Sequence, residues 1–216
     1  MNEHASQFIF SKHNAIICFV VIIISTVVTL SPDVMLRYVG LDAAFSIVFI
    51  TEFVISSFVY LLYLKKYPEC RIRIKVNSAS LKFSLNSFLI IVLIQLAVYC
   101  YEDYLYHYKS SQINWITVLV MTLIVPYYEE IVYRGCVFGV VCSIYKKNLA
   151  IPCVVTSVFF CLMHGQYYNI LAQMVLFVVS MLLLAVRIKT KSLFYSMLIH
   201  SGMNAFVIFL NVQNIL

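Results

Sequence analysis

The sequence predicts an all-α, polytopic integral membrane protein, with about seven transmembrane helices around a central polar cavity. Of its 216 residues, 63% are hydrophobic and 11% are charged, and the mean hydropathy is +0.95. Soluble domains are about half apolar and about a quarter charged. A chain this apolar has too few polar residues to cover a water-soluble globule, so the lipid bilayer is the solvent that suits it.

The helices are predicted from apolar runs that approach the length needed to cross the hydrocarbon core, which is about 20 residues. The candidate spans are approximately Asn14–Leu30, Gly40–Leu64, Phe83–Tyr101, Ile113–Val141, Leu149–Met163, Asn169–Val186 and Leu193–Leu210. The fifth span is short. Pro126 lies within the fourth span and predicts a break or kink there, because proline removes a helical hydrogen bond. With no internal repeat, we expect residues 1–216 to form one transmembrane domain.

Basic residues lie between the apolar runs, in Lys65–Lys82, Lys146–Lys147 and Arg187–Lys191. Nucleic-acid-binding proteins carry such clusters on soluble folds, so this class of partner is excluded. Under the positive-inside rule the clusters are cytoplasmic loops. The amino terminus is then cytoplasmic, whereas Glu102–Gln112 and the carboxyl terminus lie outside.

The stretch Cys70–Val76 (CRIRIKV) alternates basic and apolar residues. Such alternation is compatible with a strand-like contact to a substrate or to lipid headgroups. A solvated basic loop is the simpler interpretation, and we favour it.

Seven cysteines are present without a C-x-x-C pair, and we therefore expect neither a disulfide framework nor a zinc cluster. The first apolar run follows Lys12, and no small-residue cleavage site follows the run. We expect it to remain as a membrane anchor.

Several polar residues interrupt the later apolar spans. Ionisable side chains in a transmembrane helix cost at least a few kcal/mol each, so they point to function. They occur in YYEEIVYRG (Glu129, Glu130, Arg134), FFCLMHG (His164) and LIHSGMNA (His200, Asn204).

The spacing of these residues predicts which of them share a helix face. Three pairs are four residues apart: Glu130 and Arg134, Phe160 and His164, and His200 and Asn204. Residues four apart lie on one face of a helix. Glu129 lies about 100° around the helix from Glu130. Arg134 can therefore neutralise Glu130 while Glu129 stays free to face the histidines, as a membrane-embedded general base would.

The patterns E-E-x-x-x-R, F-x-x-x-H and H-x-x-x-N, in this order on successive helices, resemble those of the CPBP family. These are the CAAX proteases and bacteriocin-processing enzymes, also called the Abi family, which include the Rce1-type prenyl-protein endopeptidases. The resemblance covers about Ile113–Val212, nearly half of the chain, and this segment forms the predicted motif-bearing core. Each motif alone is weak evidence, but all three in order are specific.

The resemblance implies that the chain is an intramembrane glutamic endopeptidase. Glu129 would activate a water molecule with the help of His164. Glu130 and Arg134 would form a structural ion pair that positions Glu129.

Under the same resemblance, His200 and Asn204 would bind the oxyanion of the tetrahedral intermediate. Phe160 would pack beneath His164. Water attack would be direct, without an acyl-enzyme, since no serine or cysteine has the setting of a nucleophile. We expect no cofactor.

Other interpretations remain open. Glu129, His164 and His200 could form a His₂Glu zinc site, although H-E-x-x-H is absent. The chain could also be a non-catalytic immunity or maturation partner of a membrane protein or peptide. A transporter ranks last, because the sequence shows no inverted repeat. Taken singly, each motif is compatible with interhelical hydrogen bonding alone.

The expected partners are the lipid bilayer, a peptide or protein substrate, and a peptide-export or maturation complex. The resemblance allows prenylated carboxyl-terminal peptides or unmodified leader peptides as substrates. For a short chain with minimal loops, the resemblance favours an enzyme of the bacterial inner membrane that acts on a small peptide such as a bacteriocin. Glu52 in the second span lies outside the motifs, and we expect it to be an auxiliary polar contact or to line the cavity.

Overall fold

The computed structural model describes residues 7–74, 77–106, 111–167 and 169–215. Its helices are α1 (Lys12–Thr29), α2 (Pro32–Val39), α3 (Leu41–Leu62), α4 (Ser78–Tyr106), α5 (Trp115–Ile144), α6 (Ala150–Met163), α7 (Ile170–Thr190) and α8 (Leu193–Asn211). Two short 3₁₀ turns, Leu64–Lys66 and Pro68–Cys70, follow α3.

The all-α, polytopic membrane class is confirmed, since six of the described helices are long and apolar enough to cross a membrane. They are α1, α3, α4, α5, α7 and α8. The fifth predicted span forms α6, which has only 14 residues. At 1.5 Å per residue it reaches about 21 Å, less than the roughly 30 Å of the hydrocarbon core. The described residues therefore hold six long spans and one short apolar helix.

Two features outside the predicted spans were not anticipated. Helix α2 is a short segment between α1 and α3, with Pro32 in its first turn and no buried residue. A small parallel sheet pairs β1 (Ser111–Ile113) with β2 (Val212–Ile215). The sheet joins the start of the motif-bearing core to its end.

The basic stretch after α3 is extended and held against the turn between α7 and α8. The Ser192 hydroxyl accepts from the Arg73 amide at 3.3 Å and lies 3.1 Å from the Arg71 carbonyl oxygen, while the Leu193 amide donates to that carbonyl. Ile72 donates its amide to the Tyr60 hydroxyl at 3.0 Å. The backbone of Arg71–Arg73 is therefore hydrogen-bonded to the bundle, while the side chains of Arg71 and Ile74 remain exposed, as in the favoured prediction of a solvated loop. Residues 75–76 lie outside the described residues.

Helix α5 continues through Pro126 instead of breaking there. The residues just before the proline, Val120–Ile124, form a π-helical turn, in which Val125 donates its amide to the Val120 carbonyl. A second π-helical stretch covers Glu130–Val137. The wider turns accommodate the proline, so the break offered as one possibility at this position does not occur. Such π turns occur frequently at functional sites.

The second half of α5 forms the centre of the bundle. Every residue from Tyr128 to Val140 is buried, and apolar side chains of neighbouring helices pack around this stretch. Ile131 and Cys136 pack with Cys18 of α1 and Val59 of α3 in one cluster, and Tyr133 packs with Phe160 of α6 in another. A helix that is buried on all sides must satisfy its polar groups within the protein, which makes this stretch the place to look for a site.

We predict that Gly139→Ala destabilises the fold. A Cβ atom at Gly139 would overlap the ring of Phe10, which is buried. Overpacking of this kind costs about 1–3 kcal/mol, and it should lower the melting midpoint of the detergent-solubilised protein.

Gly165→Ala is the matched control, because a Cβ there would meet only a carbonyl oxygen at 3.9 Å. Equal melting midpoints for the two variants would show that Phe10 gives way without cost.

Candidate active site

Glu130 and Arg134 form a fully buried ion pair on α5. Arg134 Nη1 lies 3.1 Å from Glu130 Oε1, and both side chains are 0% exposed. Removing two charges from water costs several kcal/mol per ion, and this is repaid only with close geometry and further hydrogen bonds. Both residues have such additional partners on other helices.

Contacts of this ion pair reach three neighbouring helices. Arg134 Nη2 donates to the Ser180 hydroxyl of α7 at 3.1 Å, and its guanidinium lies 4.5 Å from the ring centre of Phe160 in α6. Glu130 Oε1 lies 2.9 Å from Nδ1 of His200 in α8. The sequence did not predict the hydrogen bond from Arg134 to Ser180 or the one from His200 to Glu130. Ser180 lies in an apolar stretch of the sequence, where no motif marks it as a partner of Arg134.

Glu129 lies between the two histidines. Its Oε1 is 3.7 Å from His164 Nε2, and its Oε2 is 3.6 Å from His200 Nε2. These separations are too long for direct hydrogen bonds. A water molecule beside an oxygen and a nitrogen at such a separation can hydrogen-bond to both. Glu129 and His164 retain side-chain exposures of 10% and 15%, so the position is not sealed.

Bonds to the far side of each ring orient the two histidines. The Phe160 carbonyl oxygen lies 2.8 Å from His164 Nδ1, and because a carbonyl only accepts, Nδ1 donates. In a neutral ring, Nε2 is then an acceptor directed at Glu129. His200 Nδ1 likewise donates to the Glu130 carboxylate. Both rings therefore present Nε2 to Glu129.

Phe160 packs beneath His164, as expected from the resemblance. The two ring centres are 4.2 Å apart, and Phe160 is 2% exposed. Tyr133 contacts the same ring edge-on, with centres 5.0 Å apart. Phe160 thus contacts both the His164 ring and the Arg134 guanidinium.

Asn204 lies one turn beyond His200 on α8, but its side chain does not contact the carboxylates in this structure. Its Nδ2 donates to the Met121 carbonyl oxygen at 2.8 Å. In the π-helical register the amide of Pro126 would serve this carbonyl, and proline has no N–H. Asn204 therefore replaces a hydrogen bond that the proline removes from α5.

Glu52 is fully buried, and its hydrogen bonds go to α1. Its carboxylate accepts hydrogen bonds from the Ser25 hydroxyl at 2.8 and 2.9 Å and from the Thr29 hydroxyl at 3.2 Å. It is an auxiliary polar contact that ties α3 to α1, in agreement with the first of the two roles predicted for it.

The segment that holds these site residues is similar to a known protein family. Residues 111–206 match the family model described as type II CAAX prenyl endopeptidase, Rce1-like. The match includes all three motifs and confirms the resemblance to the Rce1-like family over this segment. A protein of Escherichia coli, described as an uncharacterized 24.3 kDa protein, is 31% identical over 85 residues. That alignment covers 39% of this chain and 39% of the relative. No solved structure matches.

The arrangement of the site residues also bears on the zinc alternative. Within the ranges that the structure describes, no group of three or more His, Cys, Asp or Glu side chains is arranged to hold a metal ion. Glu129, His164 and His200 are therefore not gathered as a zinc-ligand set in these ranges.

We predict that Arg134→Met destabilises the protein more than the double variant Glu130→Gln/Arg134→Met does. The single change leaves a buried carboxylate without its cation, which costs roughly 3–5 kcal/mol. The double change removes both charges. The stabilities of the two variants are compared by their melting midpoints and by denaturant titration in the same detergent. A double variant that is no more stable than the single variant would contradict the prediction.

Proposed function

We propose that this chain is an intramembrane endopeptidase that hydrolyses a peptide bond with a water molecule activated by Glu129 and His164. The observation that carries the proposal is the position of Glu129. It is a buried carboxylate that forms no ion pair with an arginine or lysine of the described residues, and it lies within 3.7 Å of Nε2 of both histidines. The similarity to the Rce1-like family supports the same reaction class.

In the first step, a water molecule donates one O–H to Glu129 and the other to His164 Nε2. Glu129 takes a proton as the water oxygen bonds to the carbonyl carbon of the substrate, and the carbonyl π electrons move to its oxygen. In the second step, the oxyanion re-forms the carbonyl and the C–N bond breaks. The proton held by Glu129 passes to the leaving nitrogen, so Glu129 ends the cycle as a carboxylate.

His200 and Asn204 are the proposed donors to the oxyanion. The Asn204 amide nitrogen carries two hydrogens, of which the bond to Met121 uses one. His200 Nε2 donates when both ring nitrogens carry hydrogen. In that state, Arg134 and His200 together would balance the charges of Glu129 and Glu130.

The proposed positioning residues are Glu130, Arg134 and Phe160. Glu130 holds the His200 ring through Nδ1, and Phe160 holds His164 through both its carbonyl and its ring. Because these partners are themselves buried and bonded, the two histidines are held in place before a substrate arrives, as preorganised catalysis requires.

For the biological role, we propose maturation or export of a small peptide, such as a bacteriocin, at the bacterial inner membrane, with a peptide-export complex as partner. The basic clusters at Lys65–Lys82 and Arg187–Lys191 support a cytoplasmic amino terminus. The relative from Escherichia coli is in keeping with a bacterial setting.

We predict that Glu129→Gln abolishes hydrolysis, with a loss of at least about a hundredfold, and leaves the melting midpoint nearly unchanged. Glutamine keeps the size of the side chain but cannot accept a proton from water. The measurement compares the peptide fractions of cells that make the wild type or the variant, by mass spectrometry.

Glu52→Gln is the matched control, since it also neutralises a buried glutamate in the bundle and should retain cleavage. If Glu129→Gln supports the full biological function, the chain acts as a non-catalytic immunity or maturation partner instead.

We also predict that strong chelation leaves cleavage unaffected, because the proposed steps use only a carboxylate, two imidazoles and an amide. The purified protein is dialysed against a chelator. Its cleavage of a peptide that mass spectrometry has identified as a substrate, by comparing cells with the wild type and with Glu129→Gln, is then measured. Loss of activity that added Zn²⁺ restores would establish the zinc mechanism in its place.

A further inference from the structure

We propose that the groove between the start of α1 and the end of α5 binds one anionic glycerophospholipid. The groove has a volume of about 530 Å³. Its lining includes two lysines and a set of large apolar side chains: Lys12, Lys146, Phe10, Ile16, Phe19 and Ile144. It lies away from Glu129 and both histidines, and the proposed hydrolysis does not use it.

The groove combines a basic rim with an apolar wall. Lys12 and Lys146 are exposed, and no acidic residue appears in the lining that the structure describes. Ile16, Phe19 and Ile144 are exposed apolar side chains at 55%, 53% and 78%. A ligand that matches both parts carries a negative charge at one end and a hydrocarbon chain at the other.

The position of the groove along the helices fits a lipid headgroup. Helix α1 begins at Lys12 and α5 ends at Ile144, so both lysines stand where helices leave the apolar bundle. Ile16 and Phe19, one turn apart on α1, continue from there along the apolar length of the helix. A phosphate near the lysines would place its acyl chain along this row. Basic pockets between transmembrane helices bind anionic headgroups in this way.

The groove is preformed in the fold. The Phe10 amide donates to the Ser143 hydroxyl at 2.8 Å, and the Phe10 ring lies 4.6 Å from the ring of Tyr67, measured between centres. Gly139 allows this ring to lie directly against α5. The chain that leads into α1 is thus fixed at the base of the groove, and little ordering is needed when a ligand enters.

The polar groups of the groove favour a lipid over a peptide. The Ser143 hydroxyl already accepts from Phe10 and donates to the Gly139 carbonyl oxygen at 2.7 Å. A peptide in the groove would need partners for its own backbone amides and carbonyls. The two lysine ammonium groups offer charge for a phosphate but no acceptor for a peptide N–H.

The test titrates purified full-length protein with dioleoyl phosphatidylglycerol or dioleoyl phosphatidylcholine and counts bound lipid by native mass spectrometry. We expect the wild type to retain one phosphatidylglycerol in preference to phosphatidylcholine. Lys12→Gln/Lys146→Gln should weaken that binding by about tenfold. Lys65→Gln/Lys66→Gln removes the same charge at exposed lysines outside the groove and should leave the binding unchanged.

A second variant tests the apolar wall. Ala15 also lines the groove, and Ala15→Phe should reduce lipid retention by filling it while both lysines stay in place. Three results would each overturn the proposal. The wild type could retain the two lipids equally, or the two lysine double variants could lose phosphatidylglycerol equally. The groove could also bind a second copy of the chain instead of lipid. Glu129→Gln should keep the lipid, so failure of the hydrolase proposal and failure of the lipid site are separate results.

Discussion

The buried pair of Glu130 and Arg134 is the interaction on which the arrangement of the bundle depends. Both charges lie fully inside the protein, and each is stabilised only because other helices supply its remaining partners. Arg134 requires Ser180 of α7 and the ring of Phe160 in α6, and Glu130 requires His200 of α8. Moving any of these helices would leave a charge buried without its partners. The cost of that state fixes the helices, and with them the surroundings of Glu129.

The two adjacent glutamates have different partners because the ion pair with Arg134 occupies Glu130. Glu130 pairs with Arg134 and His200, whereas the Glu129 carboxylate faces Nε2 of His164 and of His200. Two neighbouring residues thus serve structure and proposed chemistry without competing for the same partner. On this side of the helix, Glu129 and His164 keep 10% and 15% of their side-chain surface exposed.

Pro126 affects the packing of α8 against α5 as well as the local geometry of α5. The proline removes one amide donor from α5, the helix widens into a π turn before it, and the Met121 carbonyl is left to the amide of Asn204. The same asparagine belongs to the H-x-x-x-N motif beside the carboxylates. Helix α8 is thereby joined to α5 on both sides of Glu129, through His200 after it and Asn204 before it.

The sequence by itself determined the membrane class, the helical segments and the faces that carry Glu130, Arg134 and Phe160, because hydropathy and four-residue spacing act within a single helix. It also indicated that Glu129 and Glu130 have different partners. Only the tertiary structure decided the bond from His200 to Glu130, the contact of Ser180 with Arg134 and the bond of Asn204 to Met121. These depend on the rotation and depth of separate helices, which are set by packing and by the satisfaction of buried polar groups across the whole bundle.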